Sequence, residues 1–509
     1  IEQRDVDLNL TTFAYYTDTQ QTVVIDPRGV PITYTYDIAY RATGEIDAFG
    51  NRTVYQYDAD NNRTAVTDKR GNTTNYTYDT SGNVTQVFNT LGFTQTFTYD
   101  GYNNLLSQTD ANHNTSTFTY DAHHNRLSAT NALGHTITST YYTDANRNGN
   151  LSSVTDSRGS VTNYNYNDQG DLTQVIDALG NVQTFTYDLG GRQITQTDAR
   201  GNTWHYTYDT AGRLVSETDP QGDVTSRTYD LVGNMRTTTD PLGRATTYTY
   251  NAKDKVASVT DPAGYTTTYT YDSVNNLVGM TNGNGYTTLY TYDALNRLTS
   301  ETNPLGHTTT FVYDANGNRI TVINPLAHVT SYTFDALNRQ THMIDPLGNP
   351  ITTTYDATGN VLSMVDANGN ITQYAYDSAN QLIGVTDALS GTISYAYDAN
   401  GNRITVTDAN AHVTTYVYDS LNRLLATTDP LGNTTSNAYD ATGNPLTSTD
   451  AKGIVTNYTY DAVNQLVEIA YSGGERVSYD YDELGNRRIM TDTQGITQYT
   501  YDNLNRPLV

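Results

Sequence analysis

The sequence predicts an all-β fold of tandem β-hairpins, and three observations carry that prediction. An aromatic anchor, usually followed by Asp, recurs every 21 residues from Tyr15 to Tyr501. The segments beside each anchor alternate with a period of two, the spacing of a strand with two different faces. Asx and Gly residues stand at two fixed places in most periods, where an antiparallel pair of strands needs its turns.

The anchors number 24, and 21 of the 23 intervals between them are 21 residues long. The exceptions are 25 residues, from Tyr141 to Tyr166, and 20 residues, from Tyr481 to Tyr501. Tyr36, Tyr57, Tyr78, Tyr292, Tyr313, Tyr397 and Tyr418 are typical, and the spacing casts them as structural anchors. A period this regular leaves no place for conventional domain boundaries. The chain is read as one array over residues 1–509, with about 24 units and a four-residue insertion in the unit 141–165.

Within a unit such as YDANGNRITVTDANAHVTTYV (Tyr397 to Val417), strand, turn, strand and turn follow in order. The first turn directly follows the anchor. The second begins at an Asp or Asn, eleven residues after the anchor or fifteen in the lengthened unit, in 22 of 23 cases; Tyr471 is the exception. Gly follows three residues later in 19 of 23, the departures being His113, Ala327, Ser390 and Ala411. Asx side chains bond their own backbone, and Gly enters positive φ without a steric cost.

The segment TTYTY (Thr246 to Tyr250) places Tyr248 and Tyr250 on one face, and an aromatic residue stands two before the anchor in 20 of 24 units. The return segment RITVTD (Arg403 to Asp408) alternates Ile and Val with Thr. Thr, Tyr and Val suit strands, and no sustained apolar stripe offers a helix. Each unit is therefore a hairpin of two strands of about seven residues. A single hairpin is marginal, so neighbours should pair edge to edge into a long antiparallel ribbon. With about 48 strands it would be on the order of 230 Å long and 24 Å wide.

Composition narrows the function. With 54 acidic and 28 basic residues the formal net charge is −26. Such a chain lacks the positive surface that binds nucleic acid through counterion release, and no apolar run is long enough for membrane insertion as a helix. Cys is absent, which removes disulfides, thiolate metal sites and Cys nucleophiles. The nine His are scattered, and neither HExxH nor GxSxG occurs. Paired carboxylates arise trivially because nearly every Asp occupies a turn. The expectation is a protein that is not an enzyme and needs no cofactor.

The motif YDxxGNRLTxxTDPLGNxTxYxYD resembles the Rhs or YD-repeat family, as YDALNRLTSETNPLGHTTTFVYDANGNR (Tyr292 to Arg319) illustrates. The resemblance covers essentially the whole chain. It implies a β-ribbon that spirals into a hollow shell or open tube. In bacterial polymorphic toxins, insecticidal toxin complexes and teneurins, such ribbons enclose a toxic polypeptide or present an adhesive surface. The family's closing core is not recognised here: the DPLG strings at Asp240, Asp345 and Asp429 lead straight back into Thr-rich strands and read as turns. The expectation is an open stretch of wall, part of a longer protein, secreted or at the cell surface. It would serve as an encapsulating or extracellular scaffold, completed by self-association or by neighbouring repeats. The competing expectation is an adhesive fibre that recognises cell-surface glycans.

Two local sites stand out. The lengthened unit contains DANRNGNLSSVTD, which opens like a calcium loop; Asp144, Asn146, Asn148, Asn150 and Asp156 are its candidate ligands. Against this, Asn-rich inserted loops are common for turn reasons alone. Trp204, the single Trp, is the candidate glycan platform.

Overall fold

The computed structural model describes residues 1–6, 9–144 and 146–508. All regular structure in it is strand, and the fifty strands alternate along the chain as the period predicts. Forty-eight belong to one antiparallel sheet; Thr500–Tyr501 and Pro507–Leu508 form a separate pair. Each described pairing joins strands adjacent in sequence, as in Leu298–Thr302 against Thr287–Tyr292 on one side and Thr308–Tyr313 on the other.

The anchor strands are mostly six residues and the return strands five, shorter than the predicted seven. The hairpins also carry a bulge that the period-two reading does not contain. Thr228 faces Thr237, but the anchor Tyr229 faces Met235, so Arg236 is left over on the return strand. The same shift precedes Tyr57, Tyr292, Tyr313, Tyr397 and Tyr418. A bulge bends its strand and raises the local twist, so the sequence carries a bend in almost every hairpin.

The sheet is a single layer with almost no conventional core. Among the described residues the buried hydrophobics are Ala65 and Ala111. Stability is instead spread over cross-strand pairs. One face carries aromatic residues opposite aliphatic ones, such as Tyr55 with Val66, Tyr374 with Val385 and Tyr458 with Ile469. The other is a hydroxyl ladder: Thr228 Oγ1 lies 2.6 Å from Thr237 Oγ1, and Thr207 Oγ1 lies 2.6 Å from Ser216 Oγ. Each such pair contributes roughly 0.2–1 kcal/mol.

Contacts divide the chain into two compact units. The first holds Ile1–Thr117, Thr249–Val259 and Tyr265–Ser390; the second holds Phe118–Tyr248, Thr260–Gly264 and Gly391–Val509. In each unit an earlier arc of hairpins meets a later one along their turns. The ribbon thus has two rims: the turns that follow the anchors (the anchor rim), and the turns eleven residues further on (the opposite rim).

Candidate functional site

The anchor turn is built by its Asp. At Asp293, Oδ1 accepts the backbone N–H groups of Leu295 and Arg297 at 2.8 and 3.0 Å, and Oδ2 accepts Nε of Arg297 at 2.7 Å. Asn296 takes the left-handed φ of 61° that closes the turn. The hydroxyl of the anchor Tyr292 donates to Leu277 O at 3.0 Å, which ties the turn to the preceding hairpin. Tyr57, Tyr78, Tyr313 and Tyr418 bond the residue fifteen back in the same way, while Tyr36 and Tyr397 end the strands Pro31–Tyr36 and Thr392–Tyr397. The paired Tyr and Asp are thus two clamps, one between hairpins and one within the turn.

An Arg closing the turn adds a third clamp. Arg297 donates to Asp314 O at 2.8 Å and lies 4.9 Å from the ring centroid of Tyr313; Arg213 repeats this on Asp230 O and Tyr229. On the opposite rim the four departures from Gly keep the same turn. His113, Ala327, Ser390 and Ala411 have φ between 62° and 68°, a conformation that costs roughly 1–2 kcal/mol.

The turns also join the arcs. In the first unit, Arg28 donates to Asp293 O and Ala294 O, each at 3.1 Å. Arg70 donates to Phe334 O, Asp335 O and Asn338 Oδ1, and pairs with Asp314 at 3.5 Å. In the second unit, Arg158 does the same on Asp419 O, Asn422 and Asp398, and Arg200 on Asp461 O, Asn464 and Asp440. Arg244 reaches Asp502 O and Asn505. Carboxylates accept across the seam as well: Asn112 donates to Asp356, Asn316 to Asp68 and Asn400 to Asp156. The guanidinium suits this role because its planar fork can satisfy several carbonyls at once.

These seam arginines escaped the sequence reading, although a signal exists. The string DxRG occurs at Asp26, Asp68, Asp156 and Asp198 and nowhere later. A complementary signal lies on the covered rim. From Asp272 to Asp461 the residue after every anchor-turn Asp is Ala or Ser, and all ten are half-buried; the equivalent residues of the earlier arcs, such as Ile38, Thr80, Leu189 and Leu231, are exposed.

The seam of the second unit includes an acidic cleft. Glu217, Asp219, Asp223, Asp482 and Glu483 line a cleft of about 330 Å³. Burial, with Asp219 and Glu483 nearby, pushes the Asp223 carboxyl above the ordinary range.

In the lengthened unit, Asp144 is held by Arg147, with an ion pair of 3.0 Å, and Arg147 lies 4.2 Å from the ring centroid of Tyr142. Arg147 keeps the Asp144 carboxyl below its ordinary value. Asp156 caps a different turn, accepting from Arg158 N, Ser160 N and Asn400. Asn146 donates to Asp168, and Asn150 lies at the loop's base, where its carbonyl accepts from Tyr142 N. Asn148 lies between them within the loop. Among the described residues no group of three or more His, Asp or Glu could hold a metal ion. Trp204 stands opposite Gln196 in strand Thr203–Tyr208 and lines a seam groove of about 340 Å³ with Gln183, Asp198, Ala441 and Asn464.

Hairpins clamped in series and arcs clamped rim to rim define a structural repeat protein. The RHS Repeat family model matches residues 41–136, 146–225 and 229–350 in overlapping windows, more than half of the chain, and the Teneurin YD-shell model matches 350–509. The chain belongs to the RHS repeat family. Among solved structures it is similar to the TcdB2-TccC3 complex (TM-score 0.50, 16% identity, 97% of this chain and 38% of that one). It is also similar to the TcdB2-TccC3-TEV complex (TM-score 0.52, 16% identity, 98% and 30%). At that identity the likeness is one of fold, and the chain spans well under half the length of either. Curated protein sequences give no match.

Proposed function

We propose that this chain is a non-enzymatic wall segment of a secreted or cell-surface shell or tube, one array of hairpins within a longer protein, which encloses a polypeptide. The observation that carries this reading is the seam. Within each unit arginines, five in all, fasten the earlier arc to the later one through backbone carbonyls, which joins neighbouring stretches of ribbon into wall. Family membership and the fold shared with TcdB2-TccC3 support it. The test is protease protection: a reporter polypeptide appended to the full-length gene product should survive a protease that digests it when free. Digestion at the free rate in intact particles would refute enclosure.

Trp204 favours a second reading, glycan adhesion, because an indole beside Gln183, Gln196 and Asn464 in one groove joins an apolar platform to polar groups. A glycan array probed with the chain and with Trp204→Ala separates the readings: hits lost in the variant support adhesion, and a blank array removes it. The inserted loop stays a proposed calcium site, in which the ion would displace Arg147 from Asp144. Calorimetry should then show heat with calcium that Asp144→Ala abolishes; no heat with the unaltered chain ends the proposal.

A further inference from the structure

Along the covered anchor rim of both units the turns come in two kinds that alternate without a break. From Asp293 to Asp502 the left-handed position is held in turn by Asn296, Gly317, Asn338, Gly359 and so on to Gly485 and Asn505. The residue closing each turn alternates with it. Arg or Gln follows the left-handed Asn, as at Arg297, Arg339 and Gln381, and Asn follows the Gly, as at Asn318, Asn360 and Asn402. The earlier anchor rim has no such order: Gly191 and Gly212 hold consecutive turns, and Arg closes both.

The alternation decides where each arginine goes. Arg297, Arg339 and Arg423 reach forward along their own ribbon to the carbonyls of Asp314, Asp356 and Asp440, which open Gly turns. The carbonyls of Asp293, Asp335, Asp419 and Asp461, which open Asn turns, are reached from across the seam by Arg28, Arg70, Arg158 and Arg200. Three of these crossing arginines take the left-handed Asn as a further acceptor, at Asn338, Asn422 and Asn464. They also pair with the carboxylate of the Gly turn just before, at Asp314, Asp398 and Asp440. The Asn turns instead pair their own Asp, as Asp335 with Arg339 and Asp419 with Arg423, each at 2.7 Å. Each gap between turns thus takes one guanidinium, alternately from its own ribbon and from the arc opposite.

The opposite rim of the earlier arcs has the same period. Arg28, Arg70, Arg158 and Arg200 stand at every second hairpin, with Asn112 in the one place between them that lacks an arginine, and the intervening tips are Phe49, Leu91, Leu133 and Leu179. Arg28 and Arg70 reach across 265 residues, Arg158 and Arg200 across 261. The difference of four is the insertion in the unit 141–165, so the seam counts hairpins and not residues.

We infer that the covered anchor rim is a register code with a period of two hairpins, and that the partner it fits is an arc presenting a guanidinium at every second turn. An arc displaced by one hairpin would bring its arginines to gaps that another arginine already fills, and would meet Gly where the Asn acceptor should stand. The like-charge contact makes the wrong register costly as well as unrewarded. Displacement by two hairpins would restore both. The rule concerns how arcs register and not what they enclose, so it stands or falls separately from the enclosure assay.

Asn112 tests it, because its tip is in phase. In the full chain Asn112→Arg should reach Asp377 O and Asn380 as Arg70 reaches Asp335 O and Asn338, and should slow hydrogen exchange at residues 377–381 about ten-fold. Gln381→Arg, which fills the next gap from within the ribbon, should slow residues 398–402 to a similar extent. Leu91→Arg is one hairpin out of phase: Leu91 borders a groove with Ala336 and Leu337, and Arg339 already holds Asp356 O. It should slow exchange nowhere in 356–360. No slowing with Asn112→Arg, none with Gln381→Arg, or slowing by Leu91→Arg equal to theirs would each overturn the inference.

Discussion

Replacing Arg70 by Met is expected to open the seam of the first unit locally, with a loss of roughly 2–3 kcal/mol. That lies just below the roughly 3–5 kcal/mol for removing one partner of a fully buried charge pair, because the Arg70 side chain keeps 20% of its exposure. The change takes one donor or charge partner from each of four acceptors together: Phe334 O, Asp335 O, Asn338 Oδ1 and the Asp314 carboxylate. Lys should rescue little, since a point charge cannot satisfy carbonyls in a fork. Hydrogen exchange is the proper readout, because nearest-neighbour repeat arrays need not unfold as one unit. The amides of residues 335–338 should exchange faster while those of distant hairpins hold. Arg319→Met is the control: Arg319 lies over the Phe311 ring 5.3 Å away, and its loss should cost under about 1 kcal/mol. Equal exchange at 335–338 in both variants would refute the seam's role.

Acid is expected to act on many turns at once. The carboxyls of Asp79, Asp345, Asp366 and Asp429 are held below the ordinary value, first by the side-chain amides of Asn83, Asn349, Asn370 and Asn433 and then by backbone N–H groups. At Asp356 and Asp440 burial opposes this, but Asn112 with Asn360, and Asn444 with its own N–H, outweigh it. A carboxyl whose folded pKa is depressed adds stability that is fully present above the unfolded pKa and is lost as pH falls through the folded one. Thermal unfolding should therefore be nearly flat from neutrality to about pH 4 and fall steeply below it. Asp223, raised in the folded state, has the opposite sign, so the cleft at Asp219 and Glu483 should be relieved earlier in the descent, as pH falls from above toward the ordinary carboxyl value. A melting temperature that stays level down to about pH 2 would contradict the account of the turns.

The hairpins were legible because their causes are local. Asp293 builds its turn from atoms within four residues, and Asn296 supplies the left-handed φ without help from elsewhere. The anchor spacing placed Tyr292 at its strand end for the same reason. The bulge at Arg236 was not legible, since alternation counts faces but not which residue of the partner strand is skipped. Trp204 stood out by composition, yet that it shares a groove with Asn464 depends on a residue 260 positions away.

The sequence by itself determined the class, the period, the two turns and the pairing of neighbours, because each is settled within about one 21-residue unit. Tertiary structure decided which rim meets which. Asp26 and Asp345 open turns with nearly the same string, DPRG and DPLG, yet Arg28 is half-buried in a seam and Leu347 is exposed. The difference arises from contacts across some 260 residues: Arg28 reaches Asp293 over 265, and Arg158 reaches Asp419 over 261. That distance is set by the accumulated bend of a dozen bulged hairpins, a quantity no single repeat contains.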